Sequence, residues 1–205
     1  FPDAYLANQA IISSSYSGTS YLVFDTRNKV FLAPGDWGMV MPVYDDLEAV
    51  SVLGMLSSKN DGEGIIIMKD VANQMKVAYV NAKNNVLKSV WPETKGNIVE
   101  NSVFLTSQKE SILYYSKGNE IFRYNFESDG NFPGSSDYTV GEEGDIVKGM
   151  MLDPQEKNLY VALDAAGNQE YKGCVYCYDV ATKSLKWKER GVAGEIVQMI
   201  YKEQK

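Results

Sequence analysis

The sequence is 205 residues long, with 44% hydrophobic, 12% aromatic and 23% charged residues, enough to bury a substantial core. Twenty basic residues stand against 27 acidic ones, a net charge of −7. That balance argues against a general binder of nucleic acid or anionic membranes, because such binding rests on a basic surface. There is no histidine, which excludes His-dependent triads, the usual histidine-bearing zinc and iron sites and the commonest general base.

The sequence opens at Phe1-Pro2-Asp3 with no initiator Met, no basic n-region and no apolar h-region, as expected of a processed product or a piece of something longer. No lipid-attachment Cys stands at the front, so any membrane anchor is expected upstream of Phe1. The longest aliphatic stretch, Ile65-Ile66-Ile67-Met68, falls far short of the roughly 20 residues that cross a bilayer.

Strand-type runs alternate with turn clusters along the chain, and no long segment carries a helical period. Four hairpins recur in order. Tyr21–Phe24 returns through Lys29–Leu32, and Gly64–Met68 through Met75–Val80. Ile112–Tyr115 turns at Ser116-Lys117-Gly118-Asn119 into Glu120–Phe126, and Leu159–Leu163 returns through Gly173–Tyr178. Aligning Tyr21, Ile65, Leu113 and Leu159 gives separations of 44, 48 and 46 residues. An apolar run precedes each hairpin (Gln9–Ile12, Val50–Leu56, Val103–Leu105, Val147–Leu152). A more polar strand follows each one (Val40–Tyr44, Val86–Trp91, Asp137–Val140, Ser184–Lys188).

Four strands per repeat, apolar first and polar last, make the blade of a β-propeller, with the first strand at a crowded axis and the last facing water. The expected fold is therefore all-β: a partial propeller of four antiparallel four-stranded blades plus one strand of a fifth. The blades are expected near residues 8–46, 47–92, 101–140 and 145–189, with the extra strand at 195–202. The extra strand follows from Gly194-Glu195-Ile196-Val197, which repeats Gly144-Asp145-Ile146-Val147 at a spacing of 50. Two arrangements stay open: missing upstream blades or a second copy completing the ring, and a closed four-bladed ring with a dangling strand.

Cys174 and Cys177 are the only cysteines, spaced C-x-x-C. In a strand, positions three apart point to opposite faces, so two unpaired thiols acting as small hydrophobic side chains are expected rather than a disulfide or a metal pair.

The run Gly173-Cys174-Val175-Tyr176-Cys177-Tyr178-Asp179-Val180-Ala181-Thr182-Lys183-Ser184-Leu185-Lys186-Trp187-Lys188 resembles the quinoprotein-type propeller repeat, departing from it at Lys183 (Gly in the family) and Cys177 (usually Ala). The resemblance implies that Asp179 and Thr182 shape the turn between third and fourth strands, and that Trp187 docks against the next blade. It brings no cofactor-binding set, and none is expected. The wider texture of Ser111–Tyr115, Glu120–Tyr124, Asn158–Leu163 and Glu195–Lys202 is similar to the C-terminal propeller of the PKD-like family lipoproteins of Bacteroidetes. That resemblance implies an upstream immunoglobulin-like region with a lipid anchor, and a place in the cell envelope or outside the cell.

Three arginines on a propeller could form a carboxylate clamp, but Arg27 falls in a turn, Arg123 inside a third strand and Arg190 at a fourth-strand end, so they are not expected to converge. Acidic neighbours (Asp45-Asp46, Asp61 with Glu63, Glu142-Glu143 with Asp145) could serve an acid-only glycan hydrolase or lyase, which needs two carboxyl groups about 5–10 Å apart. Solvated loop acids are the simpler reading, and neither catalytic residues nor a metal set is assigned. The leading expectation is a non-catalytic recognition module for a protein or glycan. In a propeller, loops joining second to third strands share one face with the links between blades. Here they gather Trp91, Glu93, Glu142, Glu143, Asp145, Glu170 and Tyr171 on an acidic rim with two aromatics. Of these, Trp91, Glu142, Glu143, Asp145, Glu170 and Tyr171 are the candidate ligand-binding residues. Such a rim favours a cationic or polar partner and repels nucleic acid.

Overall fold

The computed structural model describes residues 5–6, 9–14, 20–25, 30–31, 49–60, 63–70, 72–81, 86–91, 94–167 and 170–202. Among them every regular element is a β-strand, and the strands form four antiparallel four-stranded sheets, each in chain order. The first sheet holds β1 (Tyr5–Leu6), β2 (Gln9–Ser14), β3 (Ser20–Asp25) and β4 (Val30–Phe31). The second holds β5 (Ala49–Ser57), β6 (Glu63–Asp70), β7 (Met75–Asn81) and β8 (Val86–Trp91). The third holds β9 (Phe104–Thr106), β10 (Ile112–Lys117), β11 (Glu120–Asn125) and β12 (Tyr138–Thr139). The fourth holds β13 (Ile146–Leu152), β14 (Asn158–Asp164), β15 (Gly173–Asp179) and β16 (Leu185–Ala193).

The chain divides into two compact units, Phe1–Gly96 with Phe126–Phe132, and Asn97–Asn125 with Pro133–Lys205. In the first unit, Ile65, Ile66, Ile67 and Met68 of β6 are all buried, so that strand is covered on both faces. In the second unit the third and fourth sheets share one core. Ile112, Tyr114, Ile121, Tyr138 and Val140 meet Val147, Leu159, Val161, Leu163, Cys174, Tyr176 and Tyr178. Alternation supplies both surfaces: Leu159, Val161 and Leu163 are every second residue of β14, as Cys174, Tyr176 and Tyr178 are of β15.

Turn chemistry fixes the registers. The β10–β11 hairpin closes with Lys117 opposite Glu120 around a two-residue turn in which Gly118 has φ +61°. The β15–β16 turn is held by Asp179, whose carboxylate accepts hydrogen bonds from the amides of Ala181 (3.1 Å) and Thr182 (2.9 Å) and from the Thr182 hydroxyl (3.0 Å). Lys183 there adopts φ +59°, the left-handed conformation for which the repeat's usual glycine is suited.

Two features of the expected organisation differ. The first sheet gains the short strand β1 ahead of residue 8, and the strand expected at Val40–Tyr44 lies outside the described residues. The extra strand expected at 195–202 does not form. β16 instead runs on to Ala193, and residues 194–202 have no ladder partner among the described strands, without which a strand's backbone groups stay unpaired. The segment lies across the outer face of the fourth sheet. Ile196 reaches Gly173, Met199 reaches Gly149, and the Tyr201 ring stands 6.4 Å from that of Tyr160. Trp187 belongs to this same outer face, 6.1 Å from Tyr160 and 45% exposed.

The two cysteines are free and buried, on opposite faces of β15. Cys174 joins the core, while Cys177 sits between Tyr160 and Trp187 in the ladder of the outer face. Burial pushes the Cys177 thiol up from its ordinary value, which lowers its thiolate fraction. In the native protein at pH 8, neither thiol should react with a disulfide reagent at the rate of a free thiol, and both should react on unfolding in guanidinium. Fast native labelling, or no free thiol after unfolding, would contradict this packing.

Candidate recognition surface

In a four-stranded meander the second-to-third connection and the link to the next sheet emerge at the same end. In the second unit this end carries the β10–β11 turn, the β12–β13 link at 140–145, the β14–β15 loop at 165–172 and the end of β16. Backbone bonds knit them together: the amides of Val140 and Val147 donate to the carbonyls of Asn119 (2.8 Å) and Gly118 (3.0 Å). The Asn119 side chain donates to the Glu142 carbonyl at 3.0 Å.

Asp145 is the centre of this end. Its carboxylate accepts from the amides of Glu142 (2.9 Å) and Ala166 (2.8 Å) and from Arg190 Nη1 (3.0 Å). Arg190 Nη1 also donates to the Tyr176 hydroxyl at 2.8 Å and lies 3.9 Å from Glu142. Burial pushes Asp145 up, but the two amides and the guanidinium outweigh it and hold the carboxyl below its usual range. The Tyr176 and Asp145 bonds hold Arg190 firmly protonated. Gly141, at φ +75°, lets the link pass over this carboxylate; a Cβ there would stand 2.3 Å from Asp145 Oδ2.

Around this brace the expected site residues take different parts. Glu142, Glu143, Glu170 and Tyr171 are exposed, Tyr171 at 56%, and they share this end of the unit. Gly191 of β16 packs beneath Tyr171, and Gly194 approaches the Glu170 carbonyl. Asp145 is buried, so its place in the surface is to shape the link that presents Glu142 and Glu143. Neighbouring cations are occupied by buried acid as well: Lys172 lies 3.2 Å and Lys148 3.9 Å from Asp164. The exposed glutamates share this end with the exposed Lys117 of the β10–β11 turn. Trp91 belongs to the first unit, half-buried with its ring edge-on to Phe132 at 6.2 Å, and Glu93 lies outside the described residues.

The first unit has its own polar cluster, where the sequence alone reads as a pair of loop acids, Asp61 and Glu63. Asp61 and Asp45-Asp46 lie outside the described residues, whereas Glu63 is buried. Its carboxylate accepts from Lys88 Nζ (2.9 and 3.0 Å), Asn60 (2.9 Å) and the Tyr79 hydroxyl. Lys88 also stands 4.4 Å above the Tyr79 ring. Burial and the Glu63 bond raise the Tyr79 hydroxyl above its ordinary value; burial pulls Lys88 down, but Glu63 and Tyr79 together outweigh it and raise Lys88. A general acid working near neutrality needs a carboxyl raised in pKa; Asp145 is shifted the other way. Arg27 lies outside the described residues. Arg123 bonds Glu110 at 3.0 Å while Arg190 bonds Asp145, so those two guanidiniums serve separate partners. Among the described residues no group of three His, Cys, Asp or Glu side chains could hold a metal ion.

Solved structures with similar folds are propellers. A quinoprotein alcohol dehydrogenase-like protein from Bacteroides thetaiotaomicron matches with a TM-score of 0.59 at 13% identity, over 89% of this chain and 44% of that one. The chain has the fold of a partial β-propeller. A chain of the mitotic checkpoint complex matches with a TM-score of 0.51 at 12% identity, over 90% of this chain and 50% of its own. The extracellular domain of a putative one component system from B. thetaiotaomicron matches with a TM-score of 0.50 at 9% identity, over 89% and 21%. The chain thus spans half or less of the length of each propeller. No family model and no curated protein matches the sequence.

The brace makes a pH-dependent contribution of known sign. A carboxyl whose pKa is lowered by folding stabilises the fold above its ordinary value and loses that contribution as pH falls through the lowered one. Asp145→Asn should therefore flatten the fall in melting temperature below pH ~4, relative to the unaltered protein. Arg190→Ala should cost about 2 kcal/mol in urea unfolding at pH 7, since it removes a charged partner from a buried carboxylate. Unchanged acid sensitivity together with unchanged stability would show that the brace carries no weight.

Proposed function

We propose that this chain is a non-catalytic recognition module that binds a protein or a glycan through the β12–β13 and β14–β15 loops. The observation that carries this reading is the division of labour at that end. Buried Asp145 and Tyr176 are joined by half-buried Arg190 into a brace that ties the loops together, and Glu142, Glu143, Glu170 and Tyr171 are left on the surface. Rigid loops lose little entropy when a partner docks, and an exposed tyrosine among acids suits a basic or hydroxyl-rich partner. Trp91 is the candidate contact of the first unit. The acid-only hydrolase reading receives no support from these residues, because the most buried acids of the candidate set are committed to hydrogen bonds and ion pairs.

The site of action in this reading is the cell envelope or the exterior of the cell. Two things support it: the textural likeness to the PKD-like family lipoproteins, and the extracellular domain among the similar folds. In that reading any membrane attachment is through an upstream lipid anchor. Blades completing the ring come from the parent chain or from a second copy.

Screening the protein against a panel of envelope proteins and a glycan array tests both claims. For a ligand so found, Tyr171→Ala with Glu143→Lys and Glu170→Lys should weaken binding by roughly 30-fold or more, the effect of losing one hot spot. Trp91→Ala is the separate arm for the first unit. If neither change alters the affinity, the ligand binds elsewhere.

A further inference from the structure

The opposite end of the second unit, formed by the first-to-second and third-to-fourth connections, holds a cavity of about 570 Å³. Its floor is the cross-strand pair Tyr114 and Arg123, opposite each other in β10 and β11. Two bridges between the sheets hold its walls. On one side Glu156, at φ +55° in the β13–β14 turn, accepts from the Gln108 amide at 2.6 Å and from the Ser107 hydroxyl. On the other, Lys183 of the β15–β16 turn pairs with Asp137, which also accepts from the Arg123 amide at 2.9 Å. The walls are therefore set by contacts independent of any ligand.

The charge of the cavity runs against that of the chain. Five cations (Lys109, Arg123, Lys157, Lys183, Lys186) and three carboxylates (Glu110, Glu156, Asp179) line it, an excess of two positive charges in a protein of net charge −7. Much of the acid is committed locally: Glu110 to Arg123 at 3.0 Å, Glu156 to the β9–β10 turn, and Asp179 to its own turn. Lys186 donates to the neutral amide of Asn158 at 2.7 Å, while the ammonium groups of Lys109 and Lys157 have no hydrogen-bond or ion-pair partner among the described residues. The remaining lining is mixed: Gln155, Asn158 and Tyr114 offer hydrogen-bonding groups, and Val180 and Ala181 add apolar surface.

We propose that this cavity binds a small hydroxylated anion, a sugar acid or sugar phosphate, with Lys109 and Lys157 taking the anionic group. The volume falls in the range of small-molecule sites. Free ammonium groups supply charge-assisted hydrogen bonds to a carboxylate or phosphate. The side-chain amides of Gln155 and Asn158 offer donors and acceptors to several hydroxyls, of which a sugar carries more than acetate or inorganic phosphate. This site lies at the other end of the sheets from the loops of the proposed recognition surface and does not depend on that reading.

Isothermal titration calorimetry of the whole chain with glucuronate, glucose 6-phosphate, glucose, acetate and inorganic phosphate tests the assignment. At least one of the two sugar anions should bind at least about tenfold more tightly than glucose and than its parent ion, acetate or phosphate. Whichever of glucuronate and glucose 6-phosphate binds better identifies the anionic group. Lys109→Ala with Lys157→Ala should weaken that binding about tenfold or more without moving the melting temperature, and Glu143→Ala at the other end should leave it unchanged. Affinity should also fall as NaCl is raised. No heat from either sugar anion at millimolar concentration overturns the proposal. So does equal binding of the parent ion, or a double lysine variant that binds as tightly as the original.

Discussion

The structure depends on one constraint: sheets with apolar residues on both faces cannot stand alone in water. β6 is buried along Glu63–Met68, and the facing residues of the third and fourth sheets are almost wholly enclosed. At roughly 25 cal/mol for each Å² removed from water, this stacking outweighs any single hydrogen bond or ion pair in the molecule. Once sheets are stacked, their functional residues are confined to the connections at the two ends. Antiparallel order then assigns each connection to its end with no further choice.

The polar groups within the stack follow from the same constraint. A carboxylate enclosed at a sheet end must be met by amides or a cation, as Asp145 is by Glu142, Ala166 and Arg190, and Glu63 by Lys88, Asn60 and Tyr79. Where the pairing is incomplete the cost is visible: the buried hydroxyl of Tyr138 and Oδ1 of Asp164 have no hydrogen-bond partner among the described residues. Burial also pushes the Tyr178 phenol up to about 12.

Period-two alternation and turn residues made the last three sheets legible in the sequence, strand by strand. Gly118 marked a hairpin turn, Asp179 and Thr182 marked the turn they form, and the three-residue spacing of Cys174 and Cys177 placed the thiols on opposite faces. Similarity of Gly194–Val197 to Gly144–Val147 misled, because a strand needs a ladder partner as well as a strand-like sequence. The candidate loops were readable as a group once the order of the strands was known. The burial of Asp145 was not, because it depends on Arg190, which is 45 residues away. The cavity was equally hidden: Lys109, Arg123 and Lys157 come from different connections and strands, and no local pattern joins them.

The segment 194–202 has a consequence for how layers add to this protein. Ile196, Met199 and Tyr201 rest on the outer face of the fourth sheet at Gly173, Gly149 and Tyr160, while Val197 and Ile200 point into solvent at 91% and 78% exposure. A further sheet stacking on this face has to displace the segment first. The face is thus a competitive site with a tethered occupant, and a newcomer's apparent affinity is its intrinsic affinity scaled by the fraction of time the segment is lifted. Two glycines and three side chains set the threshold for extending the stack.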